Sequence, residues 1–143
     1  MNKGGFLLDT NVVSEVRRKR PSAAVLGWLN ATPDESLHIS VLTLGEIRRG
    51  IELVSDADKR AVLNSWVAHT LLPWLGPRML PLDRAVAETW GRLAAAAGRP
   101  LPIIDSLLAA TALTHGLSMV TRNTIDFGLP ELRVIDPWQA QAD

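Results

Sequence analysis

The feature that most constrains the fold is the alternation of short apolar runs with longer segments of helical periodicity. Runs at 6–8, 37–40 and 117–121 are short enough to predict buried strands. Between them, apolar residues recur at helical spacing, most clearly over 41–54 and from about 83 to 97. This alternation is typical of helices packed on a mainly parallel sheet, so we expect an α/β sandwich.

The same patterns predict the remaining elements. Further helices are expected over 23–30, over 57–72 with an end near Pro73, and over 106–115. Residues 79–80 and 132–135 are expected to form short strands. The length of 143 residues suits one domain, which we expect to span 1–143.

Composition narrows the possible functions. Fifteen basic and fifteen acidic side chains give zero net charge, so no overall basic field indicates nucleic-acid binding. The absence of cysteine excludes disulfides and thiolate metal ligands and leaves carboxylates and three histidines as candidate ligands. No apolar stretch approaches the roughly 20 residues that span a bilayer, and we expect a cytoplasmic protein that does not bind membranes.

Three acidic residues stand near the predicted ends of strands. Asp9 follows the first apolar run, Asp105 follows Ile103-Ile104, and Glu46 comes six residues after Ser40. If the strands are parallel, all three face one crevice beyond their carboxyl ends. Because neighbouring carboxylates repel each other unless a cation is bound, this grouping predicts a site for Mg²⁺ or Mn²⁺.

Each acidic residue also has a purely structural interpretation. Asp is a favoured N-cap at the start of a helix, which would account for Asp9 or Asp105 alone. The segment from Thr43 to Glu46 fits a capping box, in which the glutamate reaches back to the amide of the cap residue. The metal-site hypothesis therefore depends on the three residues being brought together.

Two other metal-dependent α/β folds carry aspartates at strand ends. A phosphoacceptor receiver domain would have an acidic pair near its start and a lysine after a late strand, but Asp9 has no adjacent acid and Lys59 is the last lysine. A phosphatase with an aspartate nucleophile needs a second Asp two residues after the first, where this chain has Asn11. Both alternatives are disfavoured.

Five segments carry a resemblance to a known family. They are LLDTNVVSE (7–15), SVLTLGEIRRGI (40–51), IDSLLAATA (104–112), TRNT (121–124) and DPW (136–138). In this order and at these separations, the chain resembles the PIN-domain ribonucleases, specifically toxins of the VapC class and most closely their FitB-like branch. The resemblance runs through nearly the whole chain.

The resemblance implies a three-layer α/β/α fold and an endoribonuclease that depends on Mg²⁺ or Mn²⁺. It also implies a homodimer that is inhibited by a cognate antitoxin, in a complex that could be larger. Asp9 and Asp105 fall on positions of direct metal ligands, and Glu46 on that of a ligand or a residue that holds metal-bound water. The fourth acidic position falls on Asn123, although Asp126 could substitute for it. Since Asn supplies no charge, we expect one tightly held ion.

Several residues around this site are given supporting roles. Thr10, Asn11 and Thr121 are expected to orient the carboxylates. The run 17–20 and the pair Arg48-Arg49 are expected on helices that start near the acidic pocket, and these residues and Arg122 are candidate contacts to RNA phosphates. The five tryptophans are expected to be core or interface anchors. An antitoxin arginine reaching into the acidic pocket would replace the cation's charge, and a PIN-fold binding partner with weak catalysis is the alternative function.

Overall fold

The computed structural model describes residues 4–139. Its five strands are β1 (Phe6–Leu8), β2 (Leu37–Ser40), β3 (Met79–Leu80), β4 (Ser118–Val120) and β5 (Val134–Ile135). They form one sheet in the order β3-β2-β1-β4-β5, and every pair of neighbours is parallel. The predicted parallel sheet is confirmed, with β4 and β5 shorter than the apolar runs suggested.

The strand order places a crevice next to β1. The chain runs outward from β1 to β3 and then crosses to β4 on the other side of β1. The direction of winding therefore reverses between β1 and β4. In open α/β sheets, ligands bind beyond the carboxyl ends of the strands at such a switch point, and here Asp9 and Thr121 are the residues that directly follow these two strands.

Seven α-helices connect the strands. They are α1 (Thr10–Glu15), α2 (Ala23–Asn30), α3 (Val41–Glu52), α4 (Ala57–Trp66), α5 (Leu72–Leu75), α6 (Arg84–Ala97) and α7 (Ile103–His115), as found within residues 4–139. Side chains that accept amide hydrogen bonds cap the first turns of α1, α2, α3, α4 and α6. Gly98 and Gly116 end α6 and α7 at φ values of 67° and 66°, a conformation that glycine adopts without strain.

Successive side chains of β1 enter two separate cores. Leu8 packs in a cluster with residues of α1, α2 and α3, among them Val12 and Ile47. Leu7 faces the opposite side of the sheet and packs with Leu108 of α7 and with Phe127. Because helices cover both faces of the sheet, the expected three-layer α/β/α arrangement is confirmed.

Three helix boundaries differ from the predictions. The helix that starts at Ala57 does not end near Pro73 but continues through a π-helical turn, Val67–Leu71, into α5. Pro73 lies just after the π-helical turn, at the start of α5. Helix α3 ends at Glu52, two residues before the predicted end at residue 54. Ile103 and Ile104 do not precede a helix but form the first turn of α7, after Pro102.

Across residues 4–139, no helix has the length and apolar character needed to cross a bilayer.

Candidate active site

Asp9 directly follows β1 at the switch point and is only 7% exposed. It caps α1, and its Oδ1 accepts a hydrogen bond from the Thr10 amide at 2.8 Å. Its Oδ2 accepts one from the Thr121 hydroxyl, also at 2.8 Å. Burial raises the pKa of Asp9 and the charge of Glu46 adds to this effect, whereas the bonds from Thr121 and Thr10 oppose it.

Thr121 and Asn11 connect β1 to β4 around this carboxylate. The Thr121 hydroxyl, which donates to Asp9, accepts a bond from the amide of Asn123 at 2.9 Å. The Asn11 side-chain nitrogen lies 3.5 Å from Asp9 Oδ2 and 3.4 Å from Thr121 Oγ1. These contacts hold the Asp9 carboxylate in one orientation, which is the role predicted for both residues.

Glu46 is joined to the crevice by Thr10. The Thr10 hydroxyl donates to Glu46 Oε1 at 2.5 Å, and this bond links the start of α1 to the middle of α3. The capping-box interpretation of Glu46 is wrong, because α3 begins at Val41 and its cap is Ser40, which accepts from the Leu42 amide. Glu46 therefore has no capping task and is oriented by Thr10 toward the crevice.

Asp105 reaches the crevice from α7 rather than from the end of a strand. It is the third residue of the helix, half-buried, with its carboxyl group at the positive end of the helix dipole. Loss of solvent contact, repulsion by Asp9, Asp126 and Glu46, and a hydrogen bond to Asp126 together raise the pKa of Asp105 from 3.8 to about 6. Asp9, Glu46, Asp105 and Asp126 thus form one electrostatically coupled group, hereafter the acidic cluster.

Asn123 and Asp126 lie together on the loop after β4. The Asn123 side-chain amide donates to Asp126 Oδ2 at 2.5 Å. Asp126 belongs to a short 3₁₀ turn, Thr124–Phe127, which Phe127 anchors in the core. Asp126 contacts Asp105 directly, whereas Asn123 contacts Asp126.

The basic residues differ in their relation to this site. Arg48 points away from it, because its guanidinium bonds the Asn64 side chain and pairs with Glu52 at 3.8 Å. Arg49 is exposed in the last turn of α3. The run 17–20 was expected on a helix but follows α1, which ends at Glu15. Arg122 is the basic residue nearest in sequence to the crevice, and its amide lies 3.4 Å from Asn11 Oδ1.

The donor set of the acidic cluster suits a hard divalent cation, since it consists of oxygen ligands alone. The salt bridges between residues 4–139 join Arg18 to Glu15, Arg48 to Glu52 and Arg84 to Glu88, so none of them neutralises the cluster. Within the same residues, no three His, Asp or Glu side chains converge closely enough to enclose an ion by themselves. Mg²⁺ does not require such an enclosure, because it keeps several waters and is commonly held by one or two carboxylates.

Fold and site together define a parallel α/β protein with an acidic crevice at its switch point. Residues 6–128 match the family model described as "PIN domain". The chain therefore belongs to the PIN domain family, as its motifs predicted.

Relatives match over nearly their full length. The chain is 35% identical to toxin FitB of Neisseria gonorrhoeae over 136 residues, which cover 93% of this chain and 98% of that protein. It is also 35% identical to the VapC ribonuclease Y4jK of Sinorhizobium fredii, with 94% and 98% covered. The crystal structure of FitAcB from N. gonorrhoeae superposes with a TM-score of 0.87 at 34% identity, covering 94% of this chain and 99% of the other.

One residue makes a contact that the sequence analysis did not predict. Trp138 is half-buried and packs against the core, as predicted for a core anchor, and the guanidinium carbon of Arg122 also lies 4.7 Å from the centroid of its ring. The sequence signal for this contact is the pair of motifs that carry the two residues, since DPW follows β5 just as TRNT follows β4.

Proposed function

We propose that this protein is an Mg²⁺- or Mn²⁺-dependent endoribonuclease and the toxin of a toxin–antitoxin pair. The observation that carries the proposal is the acidic cluster, four coupled carboxylates without a basic partner among the described residues, at the switch point of a PIN domain. The names of two relatives, a VapC ribonuclease and a toxin, support the choice of RNA as substrate and the biological role.

In this proposal, Asp9 and Asp105 hold the cation, and Glu46 either binds it or positions a water beside it. A bound divalent cation supplies Lewis acidity, which activates water for attack on phosphorus and neutralises charge on the phosphate. It also relieves the repulsion by Asp9, Asp126 and Glu46, which together with burial raises the pKa of Asp105.

The remaining groups orient these carboxylates. Thr121 and the Thr10 amide fix the two oxygens of Asp9. The Thr10 hydroxyl fixes Glu46, so that one residue positions two members of the acidic cluster. Orientation by outer residues commonly changes metal affinity or activity by about 10–100-fold, and Thr10 and Thr121 are therefore expected to matter nearly as much as the ligands.

Asp126 rather than Asn123 fills the fourth acidic position in this proposal. Asp126 shares a hydrogen bond with Asp105 and adds to its repulsion, whereas Asn123 donates its amide to Asp126. Asn123 thus positions a neighbouring carboxylate in place of supplying one. Because Asp126 is exposed and bound to its neighbours, we retain the expectation of one tightly held ion.

Inhibition by a cognate antitoxin follows from the resemblance and from the charge of the site. A small cavity of about 120 Å³ borders Glu46. Apolar residues, among them Ile47, Ile51 and Leu63, line part of it, and Thr10, Ser14 and Arg17 line the rest. An antitoxin segment seated there could place an arginine against the acidic cluster, where it would replace the cation's charge. A complex with no antitoxin residue near Asp9 or Asp105 would refute this arrangement. The homodimer stays a prediction.

The proposal is tested by RNA cleavage in Mg²⁺ or Mn²⁺ with wild type, Asp9→Asn and Asp105→Asn. Asn caps helices as well as Asp, so Asp9→Asn removes charge while it preserves the cap. Asp58→Asn, an acid in the first turn of α4 outside the cluster, is the matched control. We expect cleavage by wild type and Asp58→Asn alone. Full activity in both cluster variants would refute the mechanism, and RNA binding without cleavage by wild type would favour the weakly catalytic binding protein.

A further inference from the structure

The parallel pairing of β4 and β5 brings two loops together beside the acidic crevice. Val120 pairs with Ile135, and both strands end at this edge of the sheet. Arg122 follows β4 by two residues and Trp138 follows β5 by three. The two side chains meet there, with the Arg122 guanidinium carbon 4.7 Å from the centroid of the Trp138 ring. This distance is within the range of a cation–π interaction.

Trp138 is held in place by its own loop. Its amide donates to Asp136 Oδ1 at 2.9 Å, and the next amide, of Gln139, donates to the Asp136 carbonyl at 3.1 Å. The intervening Pro137 is buried, and the indole packs partly against the core. The ring is therefore a fixed surface, against which an exposed arginine can be ordered.

The position of Arg122 raises an electrostatic question. It directly follows Thr121, which donates to Asp9, and its own amide lies 3.4 Å from Asn11, the neighbour of that carboxylate. An arginine so close to uncompensated carboxylates would be expected to form paired hydrogen bonds with them. Arg122 takes part in none of the salt bridges found between residues 4–139 and lies instead on Trp138.

We propose that Trp138 is a positioning residue that holds Arg122 at the rim of the acidic crevice, where the guanidinium contacts a phosphate of bound RNA. The same contact keeps Arg122 from folding onto the acidic cluster and competing with the cation. This inference rests on the proposed function, since it assigns the pair a role toward the RNA and metal of the same site. It adds a second role to the sequence-based assignment of Trp138 as an anchor.

The first test is the salt dependence of RNA binding. Wild-type and variant proteins in an Asp105→Asn background, which leaves RNA intact, are titrated against a fluorescein-labelled single-stranded RNA of mixed sequence. Loss of one phosphate contact lowers the slope of log K against log salt by about 0.7. We expect this decrease in Arg122→Ala, in Trp138→Ala and, without further loss, in the double variant. Trp138→Phe, which retains a ring, should keep the wild-type slope.

The second test is Mn²⁺ affinity, measured by calorimetry without RNA and without the Asp105 substitution. Trp138→Ala should weaken Mn²⁺ binding about tenfold, the size of an outer-residue effect, because the released Arg122 then competes for the carboxylates. Adding Arg122→Ala to Trp138→Ala should restore the affinity. A loss caused by misfolding would not be restored by removing a second side chain.

Several outcomes would overturn the inference. An unchanged salt slope in Arg122→Ala would show that Arg122 contacts no phosphate. Because this variant changes only an exposed loop residue, it is informative even if Trp138→Ala fails to fold. Additive effects in the double variant, or a Mn²⁺ affinity that Arg122→Ala does not restore, would make Trp138 merely structural. If wild type cleaves RNA while these variants match it, the inference alone fails. If wild type binds neither RNA nor Mn²⁺, the proposed function fails as well.

Discussion

Replacing Asp105 with Asn is expected to stabilise the metal-free protein while it abolishes the proposed cleavage. In the folded protein, burial and three neighbouring acids raise the pKa of Asp105 from 3.8 to about 6. A carboxyl group with a raised pKa contributes full stability below its unfolded pKa and loses that contribution as the pH rises through the folded value. At neutral pH the ionised Asp105 therefore opposes folding, whereas a neutral Asn does not.

The expected size follows from the shift. A change of about two pKa units corresponds to about 3 kcal/mol at 1.36 kcal/mol per unit. Because Asp105 is only half-buried, solvent screening reduces this, and we expect a gain of roughly 1–2 kcal/mol in the free energy of unfolding at neutral pH. For a chain of this length that raises the Tm by roughly 2–8 °C.

Thermal unfolding in EDTA, followed by circular dichroism at several pH values, measures this effect. The difference between Asp105→Asn and wild type should be largest above about pH 6 and should vanish below about pH 4. The control Asp58→Asn should show no such gap. Excess Mn²⁺ should raise the Tm of wild type more than that of Asp105→Asn, because only wild type retains the full site. An Asp105→Asn protein less stable than wild type at neutral pH, or a gap independent of pH, would refute the electrostatic argument.

Further substitutions test the groups that orient the acidic cluster and the choice of its fourth member. Thr10→Val, which removes the donor to Glu46, should lower kcat about tenfold, whereas Thr10→Ser should retain most activity; equal rates in the two variants would argue against this bond. Thr121→Val removes the buried donor that lies 2.8 Å from Asp9 Oδ2 and should cost about 1–3 kcal/mol of unfolding free energy in urea. Because the bond from Thr121 lowers the pKa of Asp9, its loss raises that pKa further, and activity should begin to fall at a higher pH on acidification. An acid limb of the pH–rate profile that does not shift would contradict this. Asp126→Asn should weaken Mn²⁺ binding, measured by calorimetry, more than Asn123→Ala does, and the reverse order would return the fourth position to Asn123.

The fold was largely predictable because its signals are local. Short apolar runs mark buried parallel strands, and they placed all five strands of the sheet within residues 4–139. The errors arose where an apolar pattern suits either a strand or a helix. Ile103-Ile104 is β-branched and apolar, as a strand would be, but Pro102 and the following Ala- and Leu-rich segment place it in the first turn of α7.

The site was predictable in its members but not in its connections. Asp9, Glu46 and Asp105 were identified from their spacing and the family resemblance, and the structure brings them into electrostatic contact. The bond from Thr10 to Glu46 spans 36 residues, and the contact between Arg122 and Trp138 depends on the pairing of β4 with β5. Such long-range contacts leave no periodic signal in the sequence.

The most direct test of the central claim is the rate of RNA cleavage against free Mn²⁺, starting from protein stripped with EDTA. The proposal predicts no cleavage without the ion, a rate that rises to saturation as Mn²⁺ is added, and no such rise in Asp9→Asn or Asp105→Asn. An undiminished rate in chelator would contradict the account, because the acidic cluster would then have no cation to hold.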